Sequence, residues 1–396
     1  MEEISRRISR LQKKLQEQGI DGFLLTQNVD IYYFTGTMQS GYVFVPAEGE
    51  PVFFVQRSMP RAREECRVCQ VEELGPLRQF GERLAETYPE LFRRDEPVKM
   101  ASEFDVLPVQ LFTRLQKALP GAQWTDGSLM IRELRMIKSP FEIAKIREAA
   151  RIADIAFERA VSQLRPGMKE IEFVALIEHE LRLQGHLGIM RMRGYNQELI
   201  TGMVASGAAA AQPTYFDGPA GGEGLSPASP QGSGWKKIER NEPILVDIGC
   251  CADGYVIDQT RTVVIGSLPE DLFRAYRLSE EIQRESEKLL KPGTVCEDIY
   301  EQALIMVNKE GLADHFMGYG KDRVKFLGHG IGLEIDEYPV LARKFQYPLQ
   351  PGMVIAVEPK FTFPGRGVVG IENTYAITET GCERLTVTRS ELIQLQ

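Results

Sequence analysis

Five polar residues stand inside apolar, β-type runs in the C-terminal part of this 396-residue chain. Asp247 follows Pro243-Ile244-Leu245-Val246, and Asp258 follows Tyr255-Val256-Ile257. His329 lies among glycines in Phe326–Glu334, Glu358 interrupts Val354–Phe361, and Glu372 interrupts Gly367–Thr378. A single acid in such a strand ordinarily points to solvent, because a buried unpaired charge is costly. Five together demand a fold that gathers them. Ala252-Asp253-Gly254 is a good turn, and a hairpin folded there puts Asp247 and Asp258 roughly opposite each other. Carboxylates so close repel unless one is protonated or a cation lies between them. Four carboxylates and one imidazole suit two hard or borderline divalent ions. Bridging carboxylates would hold such ions roughly 3.5–4 Å apart, the spacing of two-metal hydrolytic sites, where a bound water is activated and a carbonyl polarised.

Composition narrows the alternatives. Apolar residues make up 43% and charged residues 26%, as expected of a globular chain of two or three domains. Lys+Arg 47 against Asp+Glu 56 gives a net charge of -9, which argues against general nucleic-acid binding. No apolar run reaches the roughly 18 residues a membrane span needs, and the first residues read as an amphipathic helix without a signal core. A cytoplasmic protein is therefore expected, with no membrane partner. Its six cysteines are expected to be mostly reduced. Cys66 and Cys69 form a lone C-x-x-C without a second pair at zinc-ribbon spacing.

Residues 1–132 alternate helix and strand patterns, and we read them as a smaller α/β domain. They contain a helix to about Gln18, a short strand in Gly19–Gln27, a hairpin in Tyr42–Val55, and helices around 76–95 and 106–118. Residues 133–396 form the second domain. It opens with Ser139-Pro140-Phe141-Glu142, a capping box with proline at the first helical position. Leu164–Gly185 and Leu290–Gly311 both begin Leu-x-Pro-Gly, continue as amphipathic helices and end at glycine. That weak repeat suggests two similar halves. Between them, 217–237 is rich in Gly, Pro and Ser, and reads as a surface loop or a flap over a site.

The ordered motifs D-I-G-x-x-x-x-G-Y-x-x-D-x-T-R-T, G-H-G-I-G-L-E, V-x-x-V-E-P and G-I-E-N-T, starting at Asp247, Gly328, Val354 and Gly370, resemble the signature of the pita-bread metallohydrolases. These include aminopeptidase P, prolidase and creatinase. The resemblance implies an α+β fold: a pita-bread catalytic domain with a pseudo-twofold repeat, preceded by a creatinase-type N-terminal domain. It implies that Asp247 binds one metal, that Asp258 and Glu372 bridge two, and that His329 and Glu358 complete the second. Glu358 would serve as general base toward a bridging hydroxide. Manganese is the first expectation for the metal, with cobalt, zinc or iron as alternatives. The implied activity is exopeptidase cleavage of an N-terminal residue, with Xaa-Pro as the implied preference. The alternatives are a creatinase-like C–N hydrolase of a small non-peptide metabolite and a non-catalytic binding module. A homodimer is also implied.

The chain departs from that pattern at the substrate side. Peptide-cleaving relatives usually carry two further histidines, where this chain has Thr214 and Asp336. A usual basic residue two before the last glutamate is Gly370 here. Losing one such hydrogen-bond donor typically costs ~10²–10³ in rate. Asp336 could instead bind an amine. Arg191 and Arg193, two apart, would share a face on a strand and could grip a substrate carboxylate. Tyr215, Asp217 and the 217–237 loop are the expected replacements for the missing histidines. His179, His186 and His315 lie outside the motifs and are read as structural or surface residues.

Overall fold

The computed structural model describes Glu2–Gln396, and contacts divide it into two compact units. The first runs to Arg135 and includes Gly194–Asn196. The second takes Met136–Arg193 and Gln197–Gln396.

The first unit is built from α1 (Glu2–Gln18), β1 (Gly22–Leu25), α2 (Asn28–Thr35), β2 (Gly41–Pro46), β3 (Val52–Val55), α3 (Met59–Glu65), β4 (Gln70–Glu73), α4 (Phe80–Thr87), α5 (Pro89–Phe92), β5 (Val98–Ser102), α6 (Val109–Ala118), β6 (Ala122–Asp126) and α7 (Ser128–Met136). Its six-stranded sheet has the order β4-β3-β2-β1-β5-β6. The Pro/Gly turn after Pro46 folds β2 onto β3 as an antiparallel hairpin, with Phe44 opposite Val52. Leu24, Phe44, Phe54, Phe80, Leu84 and Leu115 form the core that covers this sheet with helices.

The second unit begins with α8 (Pro140–Val161), and its capping box is formed: the Glu142 amide donates to Ser139 Oγ and the Ser139 amide donates to Glu142 Oε2. α9 (Glu170–Gln184) packs on α8 and stops at Gly185, whose left-handed backbone suits glycine. Next come β7 (Gly202–Ser206), α10 (Gly207–Ala210), β8 (Ile244–Ala252) and β9 (Tyr255–Ile265). A second helical pair follows, α11 (Glu270–Leu289) and α12 (Cys296–Lys309). The remaining strands are β10 (Phe326–Gly330), β11 (Glu337–Ala342), β12 (Val354–Val357), β13 (Lys360–Phe363), β14 (Gly367–Gly370), β15 (Asn373–Ile377), β16 (Cys382–Arg384) and β17 (Ile393–Leu395). They make sheets ordered β17-β9-β8-β7 and β11-β10-β12-β15-β16, with β13 and β14 as a separate hairpin. Each helical pair thus precedes its own sheet, in keeping with the repeat in the sequence. The core between α11, α12 and the second sheet includes Leu272, Tyr276, Ile299, Leu327, Ile355 and Tyr375. The five polar residues line one cleft of this unit.

Candidate metal centre and its cleft

The β8–β9 hairpin turns at Asp253-Gly254, both with positive φ, as a two-residue loop requires. Its register puts Asp247 opposite Thr260 and Asp258 opposite Gly249. Asp258 and Thr260 are two apart on one strand, so Asp247 and Asp258 share a face and lie on a diagonal rather than directly opposite. His329 comes from β10, Glu358 from the residue just after β12, and Glu372 from the link between β14 and β15. A single bridge, Thr260↔Glu372, ties that link to β9. Arg261 fixes it further. Its buried guanidinium donates to the carbonyls of Glu372, Thr260, Thr388 and Arg389 and to Asn373 Oδ1.

Asp258, His329 and Glu372 offer ligand atoms that all lie within 4.8 Å of one another. His329 Nδ1 donates toward the Gly330 carbonyl at 3.1 Å and lies 3.2 Å from Asp336 Oδ1. That leaves Nε2 as the free lone pair, 4.0 Å from Asp258 Oδ2 and 3.7 Å from Glu358 Oε1. Glu372 Oε2 accepts from Thr260 Oγ1 at 2.8 Å. Its other oxygen, Oε1, is buried with no hydrogen-bond partner among the described residues. An orphaned carboxylate oxygen in a set of this kind is what a metal ligand looks like before the ion is added.

The remaining acids converge on a lysine. Lys360 Nζ lies 2.6 Å from Glu358 Oε2, 3.1 Å from Glu372 Oε2 and 3.1 Å from Asp247 Oδ2, and its side chain is 1% exposed. Burial opposes the ammonium, but the three carboxylates outweigh it and hold Lys360 well above its ordinary pKa. Burial pushes the Glu358 carboxyl up to about 7, against the pull of Lys360. Burial and the neighbouring Glu372 and Asp247 charges raise Asp258 well above the usual carboxylate range. For His329, burial alone would lower the pKa, and the Asp336, Glu358 and Glu372 charges reverse that into a rise.

Above this floor opens a cleft. Met190, Met192, Met203, Phe216, Phe326 and Ile335 give it apolar walls, and Asp217 and Asp336 add two further acids, Asp336 beside His329. Burial and the facing Asp336 raise the Asp217 carboxyl.

The sequence profile of the metallopeptidase family M24 matches residues 144–379, and that of the creatinase/prolidase N-terminal domain matches residues 7–137. The chain belongs to metallopeptidase family M24. It is 29% identical to the Xaa-Pro dipeptidase of Pyrococcus furiosus over 389 residues, covering 98% of this chain and 99% of that one. Among solved structures, an Xaa-Pro dipeptidase from Bacillus anthracis superposes with a TM-score of 0.83 at 28% identity, covering 99% and 100% of the two chains. An X-Pro aminopeptidase from Thermotoga maritima gives 0.79 at 26% identity, covering 98% and 99%. The fold is therefore a pita-bread domain preceded in the sequence by a creatinase-type domain. The relatives favour a peptidase over the creatinase-like alternative.

Family M24 metallopeptidases act with divalent metal ions, and the donors of this chain fit at least one: Asp258, His329 and Glu372 are mutually in reach, and Glu372 Oε1 has no hydrogen-bond partner among the described residues. On the substrate side the M24 cleft differs from the sequence reading. No strand forms over 187–200. Arg191 and Arg193 do not line the cleft; Met190 and Met192, which alternate with them, do. Arg193 lies 3.9 Å from Glu334, with both side chains buried. Thr214 borders an adjacent cavity with Tyr319 and Thr362, and its Oγ1 accepts from the Phe216 amide. Tyr215 is exposed, and its hydroxyl accepts from Gln231 Nε2. Asp217 and Asp336 do enter the cleft.

The 217–237 stretch is a pinned loop rather than a loose flap. Gly221 and Gly222 donate to the Ala210 and Gln212 carbonyls, and Gly232 donates back to Gly221. Buried Glu170 accepts from the amides of Ser206 and Gly234, which anchors the returning arm. The glycines are there for close approach: a Cβ on Gly221 would meet the Gln212 carbonyl at 1.9 Å. His186 and His315 are structural, as read. His186 Nδ1 accepts from the Cys251 amide, and His315 stacks on Phe363. Sequence reasoning passed over Lys360 and Arg261. The signal for Lys360 was present, since in extended chain it lies on the same face as Glu358.

Proposed function

We propose that this chain is a divalent-metal-dependent exopeptidase that removes the N-terminal residue of short peptides, with Xaa-Pro substrates preferred. The observation that carries this reading is the convergence of Asp247, Asp258, His329, Glu358 and Glu372 at the floor of an apolar cleft with two acids on its wall. A bound divalent ion would supply Lewis acidity toward water and the scissile carbonyl. Asp258, His329 Nε2 and Glu372 Oε1 would hold it, and manganese is the metal we propose. Glu358 Oε2 is committed to Lys360, so Oε1, which faces His329, is the atom that takes a proton from the attacking water and passes it to the leaving nitrogen. Asp336 and Asp217 suit the substrate's ammonium, while the methionines and Phe216 suit its side chains.

We extend the reading to a cytoplasmic homodimer. The resemblance supports the dimer, and the six free cysteines support a reducing compartment. No helix among the described residues is long and apolar enough to cross a membrane. The test is manganese-supplemented hydrolysis of Xaa-Pro and non-proline di- and tripeptides, with Glu358→Gln as control. Cleavage of the proline panel that vanishes in the control is expected. Absence of any peptide cleavage by metal-loaded protein would overturn the reading in favour of a non-peptide C–N hydrolase.

A further inference from the structure

We propose that Lys360 is itself the second cation of this site, so that the chain binds one divalent ion on Asp258, His329 and Glu372 where two would otherwise sit. This rests on the metal-dependent reading above and deepens it. The sequence pattern alone suggested two ions shared by five ligands. The structure divides those ligands instead. Asp247 Oδ2, Glu358 Oε2 and Glu372 Oε2 each lie within 3.1 Å of the Lys360 ammonium, which has three protons to donate and three acceptors in place. A metal drawing on the same oxygens at roughly 2.0–2.2 Å would compete for their lone pairs. It would also stand against a buried like charge, where screening is weak.

Glu372 is the hinge of this division. Its Oε2 takes Lys360 and Thr260, and its Oε1 has no hydrogen-bond partner among the described residues. One carboxylate therefore bridges an ammonium and an ion, as it would bridge two ions. Room for the lysine is built into the hairpin. Lys360 pairs with Gly370 across β13 and β14, and a Cβ at Gly370 would come within 2.8 Å of Lys360 Cγ. Any larger residue there would crowd the Lys360 side chain and backbone and the Pro359 carbonyl. The Lys360 backbone is also fixed, since its carbonyl accepts from the Met317 amide at 2.9 Å. Lys360 acts here as a positioning residue: it holds Glu358 and Asp247 and replaces a removable ion with a covalently attached charge.

The experiment is Mn²⁺ binding to the full chain by equilibrium dialysis with metal analysis, read together with the electron paramagnetic resonance of the bound ion. The wild type is expected to bind one Mn²⁺ per chain with the spectrum of an isolated ion. Lys360→Ala is expected to bind two, with the spectrum of a spin-coupled pair. Two ions or a coupled pair in the wild type would overturn the proposal while leaving the metallopeptidase reading intact. So would one ion in a folded Lys360→Ala variant. Should Lys360→Ala fail to fold, Asp258→Asn and Asp247→Asn decide: the first is expected to abolish the single site, and the second to keep it. The reverse result would place the ion where Lys360 sits and overturn the proposal. No binding at all at millimolar Mn²⁺ would overturn both readings at once.

Discussion

Asp247 and Asp258 ride on an unbroken antiparallel ladder from Ile244↔Val263 to Ala252↔Tyr255, whereas Asp217 and Asp336, on the wall of the same cleft, hang on segments without regular structure. The difference lies in what holds each pair in place. A ladder fixes side-chain direction through its period of two, so Asp247 and Asp258 are placed by local chemistry. The Asp217 side of the wall is placed by glycines that allow close approach and by a buried carboxylate, Glu170, that accepts from Ser206 and Gly234. Rigid strands therefore hold Asp247, Asp258 and His329, while the proposed substrate-facing acids depend on segments shaped by tertiary contacts.

The largest test of this contrast falls on the ladder side. Glu358→Gln should lower kcat by ~10²–10⁴ with metal content unchanged, as expected for loss of a general base. A fall in bound metal matching the fall in rate would make Glu358 a ligand first.

Next is the pinned loop. Gly222 has φ +114, and a Cβ there would meet the Gly232 carbonyl at 2.2 Å. Gly222→Val should destabilise the chain by about 3 kcal/mol or more, while Leu225→Ser at the exposed tip should stay within about 0.5 kcal/mol. Equal melting temperatures for the two variants would mean that the loop is a loose flap after all.

A smaller effect is expected from the wall acids. Asp336 is 40% exposed, so its attraction for a substrate ammonium is partly screened. Asp336→Asn should raise KM roughly threefold to tenfold for peptides with a free amino end and leave N-acetylated ones unaffected. An equal rise for both would assign Asp336 to orienting His329 instead.

The smallest concerns stability. Burial, with help from nearby Arg182, lowers the His186 pKa below its ordinary 6.5. The unfolded chain then binds the proton more readily than the folded one, so stability rises with pH in that window. The His186 contribution is complete above about 6.5 and is lost as pH falls below it. Melting temperatures between pH 7.5 and 5.5 should fall less steeply in His186→Gln than in the wild type. Parallel slopes would remove His186 from the account.

Much of the architecture was legible without coordinates, for local reasons. The Ser139–Glu142 box, the Asp253-Gly254 turn and the Leu-x-Pro-Gly helix starts are short-range signals, and each formed as read. The five polar residues in apolar runs announced themselves because a buried charge needs a partner. The Met190–Arg193 segment was misread for the opposite reason. Alternation of Met and Arg imitates a strand, but a strand needs a neighbour with which to pair, and that is a tertiary fact. Lys360 shows the boundary most clearly. Its sequence says only that it follows Glu358 on the same face. Whether that face looks to water or into three carboxylates depends on β8, β9 and the Glu372 link arriving from distant parts of the chain, and on Gly370 leaving space beside it. Composition and spacing determined that this chain must gather acids around positive charge. Only the packing of its sheets decided that one of those charges is its own.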